Sequence, residues 1–149
     1  GRGIKVITLN RNKQSLKYAL QIGKVPIYET DDDGNIIYIV IDGNKVPVET
    51  GEYEIGYMQP VDFKANIAMS GGEAEAREFG LNLSDYNAVL LCDKNIYPIS
   101  ETSLIWHHSE VGYKDTDETI VNSKTADYSV VKVSESLNFV KYVLKKITK

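Results

Sequence analysis

The feature that most constrains the fold is a strict alternation of side chains over Val61–Met69, where apolar residues occupy every second position. A period of two sustained over nine residues predicts a half-buried β-strand. The alternation ends at Ser70-Gly71-Gly72-Glu73, which has the S-x-x-E spacing of a capping box and predicts a short helix at about 73–79. Ala88–Cys92 is typical of a short buried strand. The centre of the chain is therefore predicted as strand, short helix, strand.

The rest of the chain consists mainly of short apolar runs separated by turn residues. Asp42-Gly43-Asn44 is a strong hairpin signal, whereas residues 108–127 have little apolar content and predict a long loop. Residues 139–147 combine helical spacing with strand-forming residues, and we predict a strand that pairs with 128–133. About ten short strands in 149 residues predict one all-β domain, a small β-barrel or sandwich of antiparallel strands.

Charge is distributed unevenly along the chain. Residues 1–17 contain five basic and no acidic residues, and residues 141–149 contain four and none. With a net charge of −4 overall, residues 18–140 carry −13. Basic ends on an acidic body favour docking between copies, although lysines that protect solvated strand edges would give the same pattern. The candidate inter-subunit residues are Arg2, Lys5, Arg11 and Lys13 at the start and Lys145 and Lys146 at the end.

Compartment and membrane association follow from simple counts. A single cysteine, Cys92, allows no internal disulfide and favours a reducing, intracellular origin. No apolar run approaches the roughly 20 residues that span a bilayer, and the first residues lack the apolar region of a signal peptide. We therefore expect no association with a membrane.

No group of residues in the sequence indicates catalysis, a cofactor or a metal. Adjacent side chains on a strand point to opposite faces, so His107 and His108 are not expected to share a metal. Cys92 lies in an apolar run, as a small core residue does, and Trp106 is expected in the core or at an interface. Ser70-Gly71-Gly72 lacks the lysine of a phosphate-binding loop.

Two acidic loops are the candidate sites for a partner or a channel. Residues 29–35 superficially resemble a calcium loop but lack the glutamate at its twelfth position, so a solvated turn is expected. Both this turn and residues 108–127 are predicted to be exposed and mobile because they have little to bury. Their candidate residues are Glu29, Asp31, Asp32 and Asp33, and Glu110, Asp115, Asp117 and Glu118.

Several segments together resemble one family, the head-closure proteins of tailed bacteriophages, also called stopper or head–tail connector proteins. The similarity covers most of residues 16–147. Residues 33–48 differ from the family pattern and resemble a hairpin insertion. The segments that carry the similarity are Tyr18-Ala19, Pro26-Ile27-Tyr28, Gly51-Glu52-Tyr53, Pro60–Ile67, Gly72-Glu73-Ala74, Phe79-Gly80, Tyr86, Pro98–Trp106, Tyr128–Val133 and Ser136-Leu137-Asn138.

The resemblance implies a non-enzymatic β-barrel that assembles as a ring, commonly of twelve copies, in the neck of the virion. Assembled in the host cytoplasm, such a ring lies below the portal and adaptor and above the tail tube or tail-completion protein. It retains packaged DNA, which passes without sequence-specific binding, and it docks the tail. Two alternatives stay open: a tail terminator or tail-completion protein, and a cytoplasmic β-barrel binding module or hydrolase.

Overall fold

The computed structural model describes residues 13–69, 88–94 and 96–148, which form ten strands and one 3₁₀ turn at Ser123–Thr125. The helix predicted at 73–79 and its Ser70 cap lie outside these residues. None of the described residues belongs to a helix long and apolar enough to cross a membrane. The strands are β1 (Gln14–Ala19), β2 (Gln21–Tyr28), β3 (Tyr38–Ile41), β4 (Asn44–Pro47), β5 (Glu49–Tyr57), β6 (Val61–Met69), β7 (Ala88–Asp93), β8 (Leu104–Trp106), β9 (Tyr128–Glu135) and β10 (Phe139–Lys146).

Six strands close into an antiparallel barrel in the order β1-β6-β7-β10-β9-β8, with β8 paired back to β1. The all-β prediction is confirmed, and the structure is a barrel rather than a sandwich. The alternating segment forms β6 as predicted, and β10 is the strand that pairs with β9. Full closure leaves the barrel strands of the described chain with neighbours on both sides.

The barrel interior is filled by every second residue of its strands, as the two-residue period requires. Phe63 on β6 lies opposite Leu16 on β1, and both are buried. The Phe63 ring packs edge-on against Tyr18 and Tyr97, at centroid distances of 5.4 and 5.2 Å. Ile67, predicted to be buried, is half-buried, and the Met69 side chain lies outside the description.

An arm made of two two-stranded ribbons, residues 21–57, is inserted between β1 and β6. Its stem is the β2–β5 ribbon, and the β3–β4 hairpin extends it. At the tip, Asp42 and Gly43 both have positive φ, 50° and 82°, as the predicted two-residue hairpin turn requires. The segment predicted as an insertion, residues 33–48, includes this hairpin.

Three backbone hydrogen bonds join the hairpin to the stem. The Glu29 N–H donates to the Val48 carbonyl at 2.8 Å, and the Val48 N–H donates to the Ile37 carbonyl at 3.0 Å. The Ile37 N–H returns to the Glu29 carbonyl at 2.9 Å. This closed set of bonds fixes where the hairpin leaves the stem.

The loop at 108–127 was expected to be exposed, and that expectation is wrong for much of its length. Strand β8 is buried on both faces, because Ile105 points into the barrel and Leu104 and Trp106 point outward. Val121 and Ala126 of the loop cover that outward face and are themselves buried. We call residues 107–127 the covering loop. Trp106 is a core residue, as expected, and its Nε1–H donates to Thr125 Oγ1 at 3.1 Å.

Candidate interaction surface

The two acidic loops identified in the sequence lie on opposite sides of one cleft between the arm and the covering loop. The cleft has a volume of about 510 Å³. Tyr28 and Asn35 line it from the arm, and Tyr113 and Asp115 line it from the covering loop. An ion pair between Lys114 of the loop and Glu54 of β5 connects the two sides.

The acidic turn on the arm side is held by one of its own carboxylates. Asp31 Oδ1 accepts the backbone N–H groups of Asp33 and Asn35, both at 2.9 Å. Glu29, Asp31, Asp32 and Asp33 are all exposed, as expected of a solvated turn. The turn thus presents a compact negative surface beside the cleft.

On the other side, Asp115 performs the same role within the covering loop. Its carboxylate accepts the N–H of Ile120 at 2.9 Å, and both the N–H and the hydroxyl of Thr119. Burial opposes ionisation of Asp115, but these hydrogen bonds prevail and lower its pKa. Glu110, Asp117 and Glu118 are exposed. Of the four candidate carboxylates in this loop, Asp115 therefore has a structural role.

Asp127, the last residue of the covering loop, anchors the start of the loop to its end. Its Oδ2 accepts the N–H groups of His107, His108 and Ser109 at 2.8, 3.0 and 3.0 Å, and its Oδ1 accepts the Ser109 hydroxyl at 2.6 Å. Burial alone would raise the pKa of Asp127, but the four donors outweigh it and hold the pKa well below its ordinary value. No local sequence pattern indicates this anchor, because its partners lie 18 to 20 residues away.

The expected arrangement of the histidine pair is wrong. Strand β8 ends at Trp106, so His107 and His108 do not point to opposite faces; their rings stack with centroids 3.8 Å apart. His107 Nε2 lies 2.6 Å from Gln14 Oε1, and its Nδ1 is buried without a hydrogen-bond partner. Burial first, and then the neighbouring His108, lower the pKa of His107, while Asp127 opposes the shift.

Among the described residues, no group of three or more His, Cys, Asp or Glu side chains could hold a metal ion. Cys92 is buried in the barrel core, as expected, and burial raises the pKa of its thiol to about 12. An un-ionised thiol in an apolar core is a poor nucleophile.

The candidate basic residues have different environments. Lys13 is half-buried and pairs with Asp93 within the chain at 3.3 Å. Lys145 and Lys146 are exposed at the end of β10. Arg2, Lys5 and Arg11 lie outside the described residues.

The comparisons with known proteins give no assignment. No protein-family model, no curated protein and no solved structure matches this chain.

One set of surface residues was not identified from the sequence: the apolar side chains exposed on the arm. A continuous apolar run such as Ile36–Ile41 is typical of a buried strand, yet Val40 is 71% exposed. The apolar pattern by itself predicts burial. Only the exposure of each side chain in the structure shows that these residues form a surface. The exposed apolar residues of the arm are Ile22, Ile37, Ile39, Val40, Ile41, Tyr53 and Ile55.

Proposed function

We propose that this chain is a non-enzymatic structural protein of a bacteriophage neck. Copies of it form a ring between the portal or adaptor and the tail, which closes the filled head and docks the tail. The packaged DNA passes through the ring without sequence-specific contacts. The proposal joins the family resemblance in the sequence to the surface that the arm presents.

The observation that carries the proposal is the exposed apolar arm on a closed barrel. Monomeric soluble proteins rarely expose contiguous apolar patches of more than a few hundred Å². Three large apolar side chains of the arm, Val40, Tyr53 and Ile22, are more than half exposed. A protein built to assemble explains this exposure, whereas a barrel that acts alone does not.

Charge supports a role beside DNA without binding to it. The exposed turn at 29–35 contains four acidic and no basic residues. Carboxylates facing a channel repel phosphates and let the duplex slide, whereas lysines would hold it through counterion release. The acidic turn at 29–35 and the exposed Asp117 and Glu118 suit such a wall.

The test is a reconstruction of virions from a phage whose genome encodes the chain, with an amber mutation in its gene as the comparison. We expect density for a ring of barrels between portal and tail, and filled heads that leak DNA and lack tails in the mutant. Normal, tailed and filled particles without the protein would refute the proposal. The amber mutant complemented from a plasmid controls for effects on neighbouring genes.

The cleft favours a second candidate, a cytoplasmic binding module. A volume of about 510 Å³ falls within the range of small-molecule sites. This candidate requires a monomer whose cleft residues, such as Tyr28 and Tyr113, shift on ligand binding in an NMR screen. The first candidate requires an assembly, so the mass in solution at high concentration separates the two.

A further inference from the structure

We infer that the arm of one copy docks on the β9–β10 hairpin of the next copy. This inference rests on the proposed function, in which copies of the chain form a ring, and it names the two surfaces that meet. Its basis is the pairing of an acidic apolar surface with a basic apolar one on the same chain.

The arm lacks partners that a β-structure of its size needs. In the described part of the chain, β2 pairs with β5 and β3 pairs with β4, so each pair is a ribbon with two open edges. A two-stranded hairpin is marginally stable at best in water unless something packs on its face. Ile39 and Ile41 on β3 are about half exposed, at 49% and 48%. The arm therefore presents both open edges and uncovered apolar side chains.

The β9–β10 hairpin offers the complementary surface. Residues 128–148 contain four lysines and one glutamate, a net charge of +3 against −6 for the arm, which contains eight acidic and two basic residues. Lys132 and Lys145 are exposed on the two strands. Leu137, in the turn between the strands, is 86% exposed, the largest value among the exposed apolar residues. Opposite charge and the exposed Leu137 make this hairpin a complementary surface for the arm.

Two different surfaces that bind each other make a head-to-tail contact. Repetition of such a contact by a fixed rotation closes a ring when the rotation divides a full turn. A symmetric dimer formed through the arm alone, by contrast, would place the acidic arm against a second acidic arm. DNA and anionic membranes are disfavoured as occupants for the same reason, since both would meet a surface of net charge −6.

Charge reversal on each surface gives a direct test by sedimentation of the full chain. The arm variant is Glu49→Lys with Glu52→Lys, and the hairpin variant is Lys132→Glu with Lys145→Glu; all four residues are exposed. We expect each variant alone to assemble about tenfold more weakly than the original chain. Mixed in equal amounts, the two should assemble together, because the reversed arm then meets the reversed hairpin.

The matched control reverses two exposed charges elsewhere, Glu101→Lys with Lys124→Glu, and should assemble as the original chain does. Circular dichroism of each variant checks that the barrel is folded. Variants that assemble normally, a mixture that does not recover assembly, or an original chain that stays monomeric at every concentration would each overturn the inference.

Cross-linking gives a second, independent readout. Val40→Cys places a thiol at the arm tip and Leu137→Cys places one in the hairpin turn, while Cys92 is buried and stays unreactive. With a short bismaleimide, the double variant should give a ladder of trimers and larger species. Each single variant should stop at dimers, because one thiol per chain cannot extend a chain of links. A double variant that also stops at dimers would contradict a head-to-tail contact.

The two proposals fail in different ways. If virions contain the ring but the charge-reversed variants still build it, the arm contact is wrong and the neck function stands. If the chain forms ladders in solution but is absent from the neck, the contact stands and the function is wrong.

Discussion

Lys114 of the covering loop forms an ion pair with Glu54 of the arm, across 60 residues of sequence. This pair is a described side-chain link between the arm stem and the covering loop. It connects the position of the arm to the fold of the loop that covers β8. A movement of the arm on assembly would therefore also displace the covering loop.

We predict that Lys114→Gln loosens the arm more than it destabilises the fold. Both side chains are about one-third exposed, so the loss in free energy of unfolding should be about 0.5–1 kcal/mol. Hydrogen exchange should accelerate in residues 49–57 and 113–121. Lys17→Gln is the matched control, since its pair with Asp62 is more exposed and should contribute little. Equal effects of the two substitutions would argue against a latch between Lys114 and Glu54.

Asp127→Asn should lower the free energy of unfolding, measured in urea, by about 1.5–3 kcal/mol. Three backbone N–H groups would lose their charged acceptor, and hydrogen bonds to a charged group contribute about that much. The pKa of Asp127 is lowered in the folded state, so its contribution is present above the ordinary carboxyl pKa of about 3.9 and lost as pH falls below it. Asp117→Asn, at an exposed position, is the control. The difference between the two variants should shrink below pH about 3.9.

How much of this fold is predictable depends on whether the signal is local. The alternation of β6, the hairpin turn at Asp42-Gly43 and the β9–β10 pair are encoded by neighbouring residues, and each was predicted correctly. The burial of the covering loop was not predicted. Its few apolar residues are buried only by contact with the face of β8 that points out of the barrel. Tertiary contact turns a polar segment into a buried one there.

The candidate site shows the same division. The carboxylates of both acidic loops were identified from composition, and the structure brings the two loops to one cleft. The anchoring role of Asp127, the pairing of Lys114 with Glu54 and that of Lys13 with Asp93 join residues far apart in sequence. No period or motif encodes such pairs.

The histidine pair should make the protein less stable in mild acid. Burial and the neighbouring His108 lower the pKa of His107 below its ordinary value of about 6.5, so the unfolded chain binds the proton more tightly. The contribution of neutral His107 is therefore present above pH about 6.5 and lost as pH falls below it. An NMR titration should show the pKa of His107 below the ordinary histidine value of about 6.5. His108→Gln should raise the pKa of His107, and an unchanged pKa would exclude the charge of His108 as a cause.

Phe63→Ala tests the inward face of β6. Phe63 is 4% exposed and packs against two tyrosine rings, so its removal should cost about 3–5 kcal/mol. Val61→Ala on the same strand is the control: Val61 is 43% exposed, and the cost should be below about 1 kcal/mol. Chemical denaturation of both variants gives the comparison. Similar costs for the two would mean that the strand faces are assigned wrongly.

Gly56 allows the two strands of the arm stem to pack closely. Its substitution should therefore destabilise the arm and leave the barrel unaffected. A Cβ at this position would lie 2.6 Å from Val25 Cγ1 and 2.9 Å from Val25 Cγ2, and the branched valine cannot easily move both methyl groups. Gly56→Ala should therefore strain the β2–β5 ribbon by about 1–3 kcal/mol. Hydrogen exchange should rise in residues 21–57 and stay unchanged in β9 and β10. Adding Val25→Ala removes both methyl groups and should restore protection in the arm. If the double variant exchanges as fast as the single one, overlap with the Val25 methyl groups is not the cause of the faster exchange.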